Sequence, residues 1–319
     1  MIMANMTMNG FLLLGFSDIR ELQILHALLF LVIYLLTWAG NFIIITITTL
    51  DQRLQSPMYY FLKHLSILDL SFISVTVPQS IDNSLTNDGY ISHDQCILQV
   101  FFFTSLVWAE VAILTVMSYD RYAAICFPLH YEVIMDPSKC KWAVIAVWLS
   151  GSISGILYTT TTFSITFCKA KIIHHFFCDV PQLLKLSCSN DYLRVTGVAT
   201  FMSVVAFICF TSSVLSYIHI FSTVLRIPSA EGRSKAFSTC LPHLFVFSFF
   251  LSTIILEFLK PTSDSPTVFD LMISIFYTVM PPALNPVIYS LRNEAIKGAF
   301  RKLLLDGEST RRKIFLSWC

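Results

Sequence analysis

A chain of 319 residues that is 55% hydrophobic and only 13% charged lies well below the charge content of a soluble domain, about 25%. The deficit points to lipid as the surrounding solvent, and the 28 phenylalanines suit lipid-facing and helix-packing surfaces better than a soluble exterior. A net charge of +1 leaves no global attraction for nucleic acid.

Taken in chain order, residues 1–22 are an N-terminal segment ahead of the first apolar run. Met1 to Gly10 lack the basic stretch, apolar core and small-residue cleavage site of a signal peptide, so the first apolar run is expected to act as the insertion signal. Asn5-Met6-Thr7 is a glycosylation sequon, which places Asn5 on a lumenal or extracellular side. Runs with the ~20 apolar residues of a membrane-crossing helix fall at 23–50, 57–81, 96–125, 141–163, 196–226, 236–258 and 268–290. They are long and do not alternate, as barrel strands would, so they are helices. The breaks are short and polar and no internal repeat is visible. The fold class is therefore all-α membrane: a seven-transmembrane helix bundle over 23–290. A short amphipathic eighth helix follows to about Leu305, carrying Lys297, Arg301 and Lys302, and with a cytoplasmic tail it makes up residues 291–319.

Orientation follows from the cations. With the N-terminus outside, 15 of the 21 Lys and Arg residues lie on inner loops and tail and 6 lie outside. The cysteines divide the same way. Cys96, Cys168, Cys178 and Cys188 fall outside, an even set that allows three pairings. Cys126, Cys140, Cys240 and Cys319 fall at or near the reducing side, and Cys209 lies mid-membrane. The chain is thus expected to be a multi-pass protein of the plasma membrane, embedded in lipid, with its C-terminus in the cytosol.

Charges inside a membrane mark function. Asp120-Arg121-Tyr122 ends the third span. A snorkelling cation would explain Arg121 alone, but not the Asp and Tyr beside it. Asn285-Pro286 breaks the hydrogen-bond ladder of the seventh span and sets an amide beside the gap. Asp69 and Glu110 lie inside the second and third spans. Two carboxylates held close in low dielectric do not both ionise without a cation or a shared proton. His174, His175 and Cys178 match closed zinc-site spacing poorly and read as a packed loop.

Several strings spread over nearly the whole chain resemble one family. They are Gly40-Asn41, PMYYFLKHLSILDLSF (57–72), MSYDRYAAIC (117–126), HFFCD (175–179), Ser216-Tyr217, KAFSTCLPH (235–243) and PPALNPVIYSLRN (281–293). Together they are similar to rhodopsin-like G-protein-coupled receptors, and within them to the odorant receptors. The resemblance implies that Asp120 holds Arg121 in the inactive state, and that Tyr122, Tyr217, Asn285, Pro286 and Tyr289 take part in activation and G-protein coupling. It implies a polar core of Asp69, Glu110 and Asn285 that holds a sodium ion or a proton. It pairs Cys96 with Cys178, and Cys168 with Cys188. The partners it implies are a small-molecule odorant and the heterotrimeric stimulatory olfactory G protein, which raises cyclic AMP.

By the same likeness the ligand would sit among Phe103, Thr104, Val107 and Trp108 of the third span, Phe201 and Val205 of the fifth, and Ile254 and Phe258 of the sixth. Glu257 is a candidate polar anchor. Phe103 stands where amine receptors carry Asp, and 268–290 holds no Lys for a Schiff base, so the outer pocket reads as uncharged and suited to neutral, hydrophobic odorants. Two departures stand out: Phe250-Leu251-Ser252-Thr253 replaces the usual Trp-x-Pro, and Pro242 replaces the more frequent Ser. No Ser-His or His-Glu-x-x-His arrangement suggests an enzyme. A transporter or channel with Asp69 and Glu110 on its path is the competing reading, against which stand the odd span number and the missing repeat.

Overall fold

Hydrocarbon offers no partners for backbone N–H and C=O groups, so the apolar runs must close their hydrogen bonds internally. The computed structural model describes residues 10–14, 19–86, 88–167, 172–173, 175–187, 193–226, 228–259 and 268–303. Its helices are α1 (Arg20–Leu50), α2 (Pro57–Thr86), α3 (His93–Cys126), α4 (Tyr131–Ile134), α5 (Pro137–Phe163), α6 (Val180–Lys185), α7 (Leu193–Leu225), α8 (Ala230–Leu259), α9 (Val268–Thr278) and α10 (Met280–Arg292). Helices α1, α2, α3, α5 and α7 are each long and apolar enough to cross a membrane, and α9 with α10 forms a further crossing bent by 50°. Helix α8, 30 residues long, completes the seven-helix bundle.

Helix starts lie ahead of the apolar runs because polar residues cap them. Ser92 and Gln95 form a capping box on α3, with Gln95 N donating to Ser92 Oγ at 3.2 Å and Ser92 N donating to Gln95 Oε1 at 3.0 Å. Asp136 caps α5, accepting from Ser138 N at 2.9 Å just ahead of the first-turn Pro137. Hydroxyls inside the spans turn back onto their own helices, as Thr115 Oγ1 does to Val111 O at 2.8 Å.

The seventh span is not continuous. Pro281 and Pro282 lack the N–H groups that would continue α9, and the chain breaks at Val279. Pro286 opens a second gap, because its missing N–H orphans the carbonyl of Pro282 four residues back. Asn41 Nδ2 of α1 donates to that carbonyl at 3.1 Å. The neighbouring Gly40 makes room: a Cβ there would lie 3.0 Å from Pro286 Cβ. Gly40-Asn41 is thus a repair of the seventh span made from the first.

Helix α3 is the axis of the bundle, touching α2, α5, α7 and α8. The α3–α5 approach depends on glycine. A Cβ on Gly151 would stand 2.5 Å from Ser105 O and 3.0 Å from Ala109 Cβ. Beyond α10, residues 294–303 are helical, with Ile296 and Ala299 buried beneath and Lys297 paired to Glu294 at 2.7 Å on the outer side. This is the amphipathic eighth helix. Asn293 opens it by accepting from Ala295 N at 3.0 Å, while its amide donates to Tyr59 OH of α2 at 3.1 Å.

An element not foreseen in the sequence covers the disulfide end. β1 (Gly10–Leu13) pairs antiparallel with β2 (Tyr90–Ser92) and parallel with β3 (Ile172–Ile173), with Phe11 opposite Ile91 and Leu13 opposite Ile173. Strands this short carry almost no alternating pattern of their own, which is why they escaped the apolar-run reading.

Gly151→Leu is expected to destabilise the bundle, since overpacking a tight contact costs about 1–3 kcal/mol or more. Ile153→Leu, on the 56% exposed face of the same helix, is expected to be neutral. Thermal unfolding of the detergent-solubilised protein checks both.

Candidate functional site

Facing side chains of α3 and α7 line a partly open cavity of about 520 Å³. On α3 the lining residues Phe103, Thr104, Val107, Trp108 and Val111 follow the i, i+3, i+4 spacing of one helix face. On α7 they are Met202, Ser203, Ala206, Phe207 and Phe210, closed off by Phe247 and Phe250 of α8 and Tyr277 of α9. Phe210 stacks on Phe247 at 6.2 Å, and Phe103 meets Tyr277 edge-on at 5.9 Å. Cys178, Asp179 and Val180 form the roof.

The structure brings Phe103, Thr104, Val107 and Trp108 onto this cavity. Phe201 and Val205 do not line it, and Phe201 is 59% exposed on the outside of α7. The expected phase of α7 was one residue off, and one residue is about 100° of rotation. Ile254, Glu257, Phe258, Leu251 and Pro242 lie outside the described side chains. The roof also corrects the expectation of an uncharged pocket, because Asp179 is a lining residue. The signal was in the chain: a residue following a cysteine tied to the head of α3 is forced over the cavity mouth.

That tie is the Cys96–Cys178 disulfide. Gln99 secures the same loop, accepting from Cys178 N at 2.8 Å and donating to Val75 O of α2 at 3.0 Å. His175 does not stand with Cys178 in a metal cluster. Its Nε2 shares a 2.7 Å hydrogen bond with Ser274 Oγ, and among the described residues no group of three or more His, Cys, Asp or Glu could hold a metal ion. Cys168, Cys188 and the Asn5 sequon lie outside the described residues.

Below the cavity, Asn285 Nδ2 donates to both carboxylate oxygens of Asp69, at 3.0 and 3.1 Å. Glu110 adjoins this pair. It is 1% exposed and faces the Asp69 carboxylate and the Asn285 amide. At the opposite end of α3, Arg121 forms an ion pair with Asp120 through Nε and a terminal nitrogen. The second Asp120 oxygen accepts from Tyr131 OH of α4 at 2.7 Å. Burial, reinforced by the Asp120 carboxylate, pushes the Tyr131 phenol above its usual range, so it remains a donor. Tyr122 packs edge-on against Phe127 at 5.5 Å. Tyr217 shares a hydrogen bond with His243 Nδ1 of α8, a partner that sequence reasoning passed over although His243 closes the KAFSTCLPH string. Tyr289 is buried, and its hydroxyl has no hydrogen-bond partner among the described residues.

Two buried carboxylates, the cavity and the Asp120–Arg121 pair are thus arranged along α3. The profile described as olfactory receptor matches residues 30–307. This chain belongs to the olfactory receptor family. It is 65% identical to human olfactory receptor 14J1 over 98% of each chain. It is 50% identical to human olfactory receptor 14A16 over 97% of this chain and all of that one. Gorilla olfactory receptor 1G1 is 43% identical over 93% of this chain and 95% of its own length. The protein is a rhodopsin-like, multi-pass membrane receptor and not an enzyme.

In the receptor's core the Asn285 amide donates to both oxygens of Asp69. Asn285→Leu should therefore lower thermal stability by roughly 1–3 kcal/mol, the cost of orphaning a buried acceptor. Glu110→Gln, which supplies a donor, should be neutral or stabilising. Melting curves of the two variants in detergent read the difference.

Proposed function

We propose that this receptor binds small, mainly apolar odorants in the α3–α7 cavity and activates the heterotrimeric stimulatory olfactory G protein, raising cyclic AMP. The observation that carries the reading is the layout of α3. Its Phe103 face lines the cavity, and its Arg121 end holds a charge pair about 27 Å away at 1.5 Å per residue. A ligand that prefers one arrangement of the lining helices shifts the equilibrium at the far end. Arg121 is held by Asp120, and Asp120 by Tyr131. Release of that tether, with Tyr217 leaving His243, would free Arg121 to face the G-protein tail. The receptor would sit in the plasma membrane with β1 outside and the 294–303 helix on the cytosolic leaflet, as the distribution of Lys and Arg favours.

The Asp69–Glu110–Asn285 cluster would hold a sodium ion or a shared proton. Its carboxylates are hard oxygen donors, both buried and facing each other beside the Asn285 amide. If sodium is the occupant, sodium chloride substituted for choline chloride raises the melting temperature of the parent but not of Glu110→Gln. An equal response in both excludes it.

The deciding experiment measures cyclic AMP in cells expressing the receptor and the olfactory G protein, across a broad odorant panel. A dose-dependent rise is expected in the parent and is lost in Arg121→Ala at equal surface amount. Trp108→Ala should shift the dose of half-maximal response about tenfold or more, as expected for loss of an anchor in a desolvated pocket, and Phe201→Ala should leave it unchanged. Odorant-independent steady current, with no cyclic AMP response, would favour the channel reading instead.

A further inference from the structure

The roof of the cavity has an outer layer. Phe11 and Leu13 of β1 are 1% and 3% exposed, and they pack in one cluster with Ile91, Cys96, Val100, Cys178 and Val180. Val100, Cys178 and Val180 are also lining residues of the cavity. β1 thus belongs to the same apolar cluster as three residues of the cavity wall. Phe11 is gripped in a ring of its own, edge-on to Phe167 at 5.6 Å and stacked on His93 at 6.0 Å. Backbone bonds hold the strand on both sides, Leu13 N to Gly89 O at 2.8 Å and Leu14 N to Ile173 O at 3.0 Å.

β1 is the central strand of its sheet, lying between β2 and β3. Without it those two strands share no pairing. The disulfide anchors only the Cys178 end of the roof to α3, so the β3 end depends on β1 for its attachment to β2.

We propose that the N-terminal strand closes the odorant cavity, and that Phe11 is a positioning residue that sets access to it by wedging β1 onto the roof. This rests on the cavity being the receptor's ligand site and on its β1 end facing outward. The consequence for ligand selection is a size-dependent threshold at the mouth, separate from the contacts made inside.

Access can be read without an odorant or a G protein. Thr104, a buried lining residue on α3, is replaced by cysteine. Intact cells are treated with the membrane-impermeant thiol reagent MTSET, and the chain retaining Thr104 serves as background. An antibody to an N-terminal tag on unpermeabilised cells reports surface amount and orientation, and labelling is expressed per surface molecule. With β1 intact, labelling is expected to be slow. Phe11→Ala should speed it about tenfold or more, because local opening rates follow the stability of the covering element. Phe11→Leu, which keeps an apolar wedge, should restore most of the slow rate. Should Phe11→Ala not reach the surface, Leu13→Ala on the same strand supplies the comparison. Equal labelling rates with and without the substitution, at equal surface amount, would overturn the proposal while leaving the cyclic AMP reading intact. A silent odorant panel would leave the access rates unaffected.

Discussion

A single side-chain amide, Asn41, completes a helix that cannot complete itself. In water the carbonyl orphaned by Pro286 would bond to solvent; inside a membrane it must find a protein donor. The Asn41 amide supplies it from another helix at 3.1 Å, and the missing Cβ at Gly40 brings the two helices close enough. The rest of the core follows from this junction. It fixes α10 against α1, so that Asn285, one residue before the proline, is delivered to Asp69 of α2. Without the kink the seventh span would be straighter and that amide would be aimed elsewhere. Three helices are thus joined by polar contacts in a region where apolar packing alone discriminates poorly between neighbours, since lipid tails are as apolar as the side chains.

Helix α3 links the functional parts. Its first turns carry the disulfide and Gln99, which hold the roof loop. Its middle carries the cavity face on one side and Glu110 on another, and its far end carries Asp120 and Arg121. Between these levels a Ser118–Ser213 hydrogen bond of 3.1 Å joins it to α7. Each level is made with a different neighbour: α2 through Gln99, α7 at Ser118, α4 through Tyr131. A change at one level therefore reaches the others through a helix held at several heights, and not through a single chain of contacts.

Much of this was legible in the amino-acid order, and the reasons are physical. The spans were readable because lipid imposes a length and an apolar composition. The recognisable strings were readable because each performs a task that few residues can do: Gly40-Asn41 repairing a proline gap, or Asp120-Arg121 placing a charge pair at the edge of the hydrocarbon. What escaped was set by rotation and by long-range pairing. Phe201 was assigned to the cavity although the apolar surface of α7 runs almost all round that helix, so hydrophobicity carried no phase. β1 takes its conformation from β2 and β3, which are distant in sequence and short. The bend at Val279 was hidden because two adjacent prolines within an apolar run read equally well as a tolerated kink. Asp179 was recognised as part of a motif, but its place in the roof depends on where the disulfide puts it.

The glycine contact between α5 and α3 carries a mechanical consequence. With Gly151 the two backbones approach so closely that only the Ala109 methyl, with no rotamers to change, lies at the contact. Sliding or tilting one against the other would drive a carbonyl into a neighbouring chain, so the pair moves as one rigid body. Helix α8 is constrained differently: it meets α7 through rings, Tyr217 beside His243 and Phe210 over Phe247, and flat faces can shear past one another. The bundle thereby has a stator and a rotor, and its freedom of movement is allotted by where glycine replaces a larger residue and where aromatic faces meet.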